Sequence, residues 1–76
     1  MRNLGPTSRR WLAAIGIKNR DQLEALGAVE VYLRVRNAGF GASLNLLWAL
    51  QGAILDIGWN ELPAAMKEDL KRQLPR

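Results

Sequence analysis

The most constraining stretch of the chain is Ser43-Leu44-Asn45-Leu46-Leu47-Trp48-Ala49-Leu50-Gln51-Gly52-Ala53-Ile54-Leu55, its most apolar run and enough for more than three helical turns. On a helix, one face carries Leu44, Leu47, Trp48, Gln51, Ile54 and Leu55. The other carries Leu46, Leu50, Ala53 and Ile57. A helix that is apolar nearly all round is one that other elements wrap. Spanning a bilayer takes ~20 such residues, and here Asn45 and Gln51 interrupt the run and Asp56 follows it. The run therefore predicts a central core helix, about residues 43–57, rather than a membrane segment.

Seventy-six residues imply one domain, 1–76. A chain this short buries only a modest fraction of its surface, so Trp11, Trp48 and Trp59 matter as large areas to bury. The chain has no cysteine and no histidine. Disulfides, thiolate metal sites and the commonest general base are therefore excluded. Met1-Arg2-Asn3 lacks the apolar stretch of a signal peptide, and a cytoplasmic location is expected. Eleven Lys/Arg against seven Asp/Glu give a formal charge of +4. That charge is compatible with nucleic-acid contact, but net charge alone does not define a site.

Leu4-Gly5-Pro6-Thr7-Ser8 reads as a turn into a helix over about Pro6–Ile15, because proline suits the first helical position. Trp11, Leu12 and Ile15 form its apolar stripe, with Arg9 and Arg10 away from it. Gly16 ends the helix, and Ile17 packs back on its last turn. Asn19 then caps a short helix that presents Leu23 and Leu26 and closes at Gly27. A third helix runs from Ala28 to Asn37, with Val29, Tyr32 and Leu33 inward and a Glu30–Arg34 pair outward. Phe40, between two glycines, plugs the core. Ser43 caps the central helix, Gly52 marks a close approach by another helix, and Gly58 ends the element. The last helix runs from about Leu62 to Leu74, with Leu62, Met66, Leu70 and Leu74 inward. The sum is an all-α bundle of about five short helices around residues 43–57.

No pattern in the chain points to catalysis. Thr7, Ser8 and Ser43 all sit at helix starts, where capping explains them. Asp56, the acid nearest the apolar run, reads as a solvated group at a helix end. No phosphate-loop or dinucleotide fingerprint is present. Gln51 is expected to bond a neighbouring backbone carbonyl, and Trp59 to pack beneath the last helix. An enzyme is not expected, nor a cofactor, a metal or a small-molecule substrate.

The segment Gly5-Pro6-Thr7-Ser8-Arg9-Arg10 offers helix-start amides, a glycine that admits a phosphate and two arginines one turn on. Lys18 and Arg20 extend the basic patch. Gly5, Thr7, Ser8, Arg9, Arg10, Lys18 and Arg20 are thus the candidate phosphate contacts. The same residues read equally as a plain helix start with a solvated basic face.

Two segments together resemble the C-terminal domain of the TfoX/Sxy family. They are Asn3-Leu4-Gly5-Pro6-Thr7-Ser8 with Leu12, Gly16-Ile17, Leu23 and Leu26-Gly27-Ala28-Val29, then Gly39, Ser43 to Leu50, Gly52-Ala53, Trp59-Asn60 and Leu62-Pro63. The resemblance implies a helical domain related to helix-hairpin-helix modules, in a family of regulators of natural competence, the uptake of DNA by bacteria. It implies support for transcription of DNA-uptake genes by contact with DNA or the transcription machinery. The Leu4-Gly5-Pro6 turn is similar to the hairpin turn of helix-hairpin-helix DNA binders, which implies phosphate contacts at Gly5, Thr7 and Ser8 with Arg9 as neighbour. Pro6 lacks an N–H and removes one donor. Typical family members carry a further N-terminal domain, so the chain is expected to be either a stand-alone member or a fragment. The alternative function is a protein–protein interaction module with no nucleic-acid affinity, its basic residues only solubilising.

Overall fold

The computed structural model describes residues 2–75; Met1 and Arg76, the ends of the expected domain, lie outside them. Five α-helices follow in order: α1 Pro6–Ala14, α2 Arg20–Leu26, α3 Ala28–Asn37, α4 Leu44–Leu55 and α5 Ala64–Arg72. A single 3-10 turn, Trp59–Glu61, stands between α4 and α5. No strand occurs among the described residues. The radius of gyration, 11.2 Å, is that of a closely packed chain of this length, about 11 Å.

Local chemistry sets most boundaries. Gly5 is the α1 N-cap and Pro6 takes the first helical position. At the other end Gly16 adopts φ +86°, the Gly16 N–H donates to the Ala13 carbonyl (3.1 Å) and the Ile17 N–H to the Leu12 carbonyl (2.9 Å). This paired closure, with Ile17 buried against α1, is the glycine C-cap expected from the sequence. Asn19 caps α2 through its side-chain oxygen, which accepts from the Gln22 N–H at 2.9 Å. Gly27, at φ 86° and ψ 156°, ends α2 and starts α3. The Glu30–Arg34 ion pair forms at 2.9 Å.

The core is α4 wrapped by α2, α3 and the 59–61 turn, with α1 packed on α3. Leu46, Leu47, Ala49, Leu50, Gly52 and Ala53 of α4 are buried, and Leu12, Leu23, Val31 and Val35 from the surrounding helices meet them. Leu4, just before the α1 cap, also lies in the core. Phe40 is half-buried and stacks on Trp11, centroids 5.4 Å apart and planes 14° from parallel.

Several expectations are corrected. The inner face of α3 is Ala28, Val31, Tyr32 and Val35, the i, i+3, i+4, i+7 stripe of one helical face; Val29 and Leu33 are only half-buried. The inward wrap of α4 leaves Leu44 and Leu55 exposed at its two ends. That helix ends not at Gly58 but at Asp56, whose φ of 58° and ψ of 44° are left-handed, a conformation aspartate tolerates better than most residues. Ser43 occupies the N-cap position of α4, but its side chain makes no cap bond. The last helix starts two residues late, with Pro63 as its N-cap, although Leu62 is buried as expected. Gly52 is approached closely, but by the Asn3 side chain and the 57–59 backbone rather than by another α-helix.

Candidate functional site

The reversal after α1 gathers the basic residues. With Ile17 folded back onto Leu12, the chain turns so that Lys18, Asn19 and Arg20 come beside Arg9 and Ala13. Arg9, Ala13, Ile17, Lys18, Asn19 and Arg20 line one open concavity of about 570 Å³. Two of its cations also serve the fold. The Arg9 Nε donates to the Leu4 carbonyl at 3.1 Å. The Arg20 guanidinium forks onto the Ile54 carbonyl, through Nε at 3.2 Å and Nη2 at 2.8 Å, and so satisfies an open carbonyl at the α4 C-terminus. Because both acceptors are neutral carbonyls, the guanidinium charges stay uncancelled. The ion pairs among the described residues are Arg2–Glu61, Arg34–Glu30 and Lys71–Glu68, and none involves Arg9, Arg10, Lys18 or Arg20.

The other candidates do not join this cluster. Gly5 and Thr7 are exposed at the start of α1, where no side chain caps the first amides. Arg10 is exposed and lines neither this concavity nor the groove between α1 and α4. Ser8 faces a separate groove of about 340 Å³ between α1 and the first turns of α4, shared with Trp11, Ser43, Asn45, Leu46 and Trp59 among others. Trp59 is 47% exposed, so α5 covers it only in part: the Lys67 ammonium of that helix stands over its ring at 5.7 Å and over the Trp48 ring at 5.9 Å. The Gln51 amide reaches the Met66 sulfur at 3.8 Å rather than a backbone carbonyl. The groove escaped sequence reasoning because its walls come from the chain start, α1, α4 and the 59–61 turn. The one signal was Trp59 directly after Gly58, in a connection too short to bury an indole on both faces.

The Arg20 fork yields a stability prediction. Arg20→Lys keeps the charge and loses the two-pronged bond. A cost of about 1 kcal/mol is expected at this exposed site, hence a thermal midpoint lower by about 4–8 °C. An unchanged melting curve would mean that water serves the Ile54 carbonyl as well as arginine does.

A small all-helical domain with one uncompensated basic face is the class these features define. The family model described as the TfoX C-terminal domain matches residues 1–74, and the chain belongs to that family. Solved structures similar to it include two from Listeria monocytogenes. One is an uncharacterized protein from Listeria monocytogenes in a triclinic form, 32% identical with a TM-score of 0.88 over 93% of this chain and 81% of that one. The other is a protein of unknown function from Listeria monocytogenes in a tetragonal form, 32% identical with a TM-score of 0.88 over 95% of this chain and 89% of that one. No curated protein matches the sequence. No helix of the described residues is long and apolar enough to cross a membrane.

Proposed function

We propose that this domain is a non-enzymatic, cytoplasmic regulatory module that supports transcription of DNA-uptake genes by holding the phosphate backbone of DNA on its basic face. The observation that carries the reading is the convergence of Arg9, Lys18 and Arg20 on one concavity with no carboxylate partner among the described residues. Guanidinium and ammonium groups of that kind position a duplex without reading its sequence. Arg9 uses only Nε on the protein, so its two terminal nitrogens remain available to a phosphate. The exposed, uncapped start of α1 at Gly5 and Thr7, used as helix-hairpin-helix modules use theirs, adds amide donors on the same helix. Family membership supports the competence-regulator role, and the lack of histidine and cysteine supports a binding rather than a catalytic role.

Lys18 is the residue to test, because its side chain makes no hydrogen bond or ion pair among the described residues, whereas Arg9 and Arg20 hold the fold. Binding of a short duplex across a salt series should fall linearly on a log–log plot, and Lys18→Ala should reduce the slope by about 0.9. Arg10→Ala, outside the concavity, should change the slope by less. No duplex binding at low salt would reject DNA contact and favour the protein–protein module.

A further inference from the structure

The groove between α1 and α4 is separate from the basic concavity and has a different chemistry. Its floor is Leu46 and Ala49, its aromatic walls are Trp11 and Trp59, and its polar lining includes Ser8, Ser43 and Asn45. No carboxylate and no cation lines it. The Ser43 hydroxyl forgoes the cap bond that its position offers, and the Asn45 and Ser8 side chains make no hydrogen bond within the protein among the described residues. Two hydroxyls and one amide with both donor and acceptor capacity therefore stand open beside an exposed indole.

We infer that this groove seats an unpaired nucleobase of single-stranded nucleic acid, stacked on Trp59 with its edge toward Asn45, Ser8 and Ser43. Size sets the first limit. About 340 Å³ lies at the low end of small-molecule sites, ~300–1,000 Å³, which suits one planar base and not the helix of a protein partner. Chemistry sets the second. Base edges present donors and acceptors together, as amides and hydroxyls do, and every base has a face on which an indole stacks regardless of sequence.

Charge sets the third limit and favours a base carried on a phosphate chain over a neutral aromatic side chain. Lys67 stands over the Trp59 ring at 5.7 Å, and Arg9 and Arg10 directly follow Ser8. The first turns of both α1 and α4 lack an acidic residue, so their positive ends are not offset locally. A strand leaving the groove in these directions meets positive potential, and a strand running past α1 reaches the Arg9–Lys18–Arg20 face. The base site goes beyond the proposed duplex contact and does not depend on it.

The test measures binding of three labelled probes to the whole chain by fluorescence anisotropy: a ten-residue oligodeoxythymidine, an abasic sugar-phosphate strand of the same length, and a duplex. The Trp59 side chain makes no hydrogen bond among the described residues and is 47% exposed, so Trp59→Ala should stay folded, which circular dichroism checks. The expected result is at least a tenfold loss of oligodeoxythymidine affinity in Trp59→Ala, near-normal affinity in Trp59→Phe, weak binding of the abasic strand, and duplex affinity within twofold of the parent. Equal binding of the thymidine and abasic strands overturns the inference, as does unchanged affinity in Trp59→Ala or no single-strand binding at all. The last outcome would leave the groove to an aromatic side chain of a protein partner. Duplex binding that persists through any of these keeps the basic-face reading intact, and its loss on Lys18→Ala alone concerns that reading only.

Discussion

Leu50→Ala is expected to lower the thermal midpoint by roughly 12–24 °C and to leave a domain that is only partly folded at 37 °C. Leu50 has no exposed surface and sits midway along α4, the helix that the others wrap. Its truncation removes the buried methyls and leaves a cavity that neighbours on α2 and α3 fill only in part. Such changes cost ~2–5 kcal/mol, and a midpoint value near 3 is expected here. A domain of this size holds a total stability toward the lower end of ~5–15 kcal/mol, so one substitution consumes much of it. Leu44→Ala and Leu55→Ala are the controls. These leucines are 37% and 43% exposed on the same helix, and each should shift the midpoint by only a few degrees. Comparable losses at Leu44 and Leu50 would mean that α4 is rotated from the orientation described.

That contrast also marks how far the sequence could be read. The apolar run announced α4 as the centre. Because nearly every face of it is apolar, periodicity could not say which residues lie deepest, and Leu44 looked as buried as Leu47. Where one side is polar the pattern decided more, as in the last helix: Leu70 of α5 and Leu62 just before it are buried, and Met66 and Leu74 pack half-buried beside them. In α3 the β-branched residues on both faces hid the true stripe, and only packing against α4 selected Val31 and Val35. Helix ends governed by nearest neighbours were legible too: Gly16 and Gly27 both adopt φ +86°, and the Asn19 cap is intramolecular over three residues. Asp56 reads from the sequence as a group at a helix end, but its left-handed cap conformation was not legible because glycine two residues on looked the easier left-handed residue. The candidate site was half legible for the same physical reason. The Gly16 reversal brings Lys18 and Arg20 near Arg9, a local event. That Arg20 binds the Ile54 carbonyl, 34 positions away, or that Trp59 walls a groove with Ser8, depends on tertiary placement that no spacing encodes.

Gly52→Ala is expected to destabilise the domain by about 2–4 kcal/mol, against the usual sign of such a change, since alanine in a helix interior is favoured by ~1 kcal/mol over glycine. A methyl group at residue 52 would lie 2.5 Å from the Asn3 Nδ2 and 2.9 Å from the Ile57 carbonyl oxygen, with the Trp59 Cα at 3.4 Å. The first neighbour is a side chain and could swing away. Doing so breaks the bonds by which the Asn3 Nδ2 donates to the Ile57 carbonyl (2.9 Å) and the Trp59 N–H donates to the Asn3 Oδ1 (3.2 Å). The second neighbour is backbone, and it is held in place because the Ile57 N–H donates to the Gly52 carbonyl at 2.9 Å. Overpacking of this kind costs ~1–3 kcal/mol, and two lost hydrogen bonds add about 1 kcal/mol each, so the losses outweigh the helix gain. Asn3→Ala removes the nearer obstacle and the two bonds at once. Gly52→Ala should therefore cost less in that background than in the parent, a coupling that a double-mutant cycle on thermal or urea unfolding measures. A stabilising Gly52→Ala, or strictly additive effects of the two changes, would mean that the chain start does not close over α4 at this point, and the groove beside Trp59 would then lose the wall that Asn3 provides.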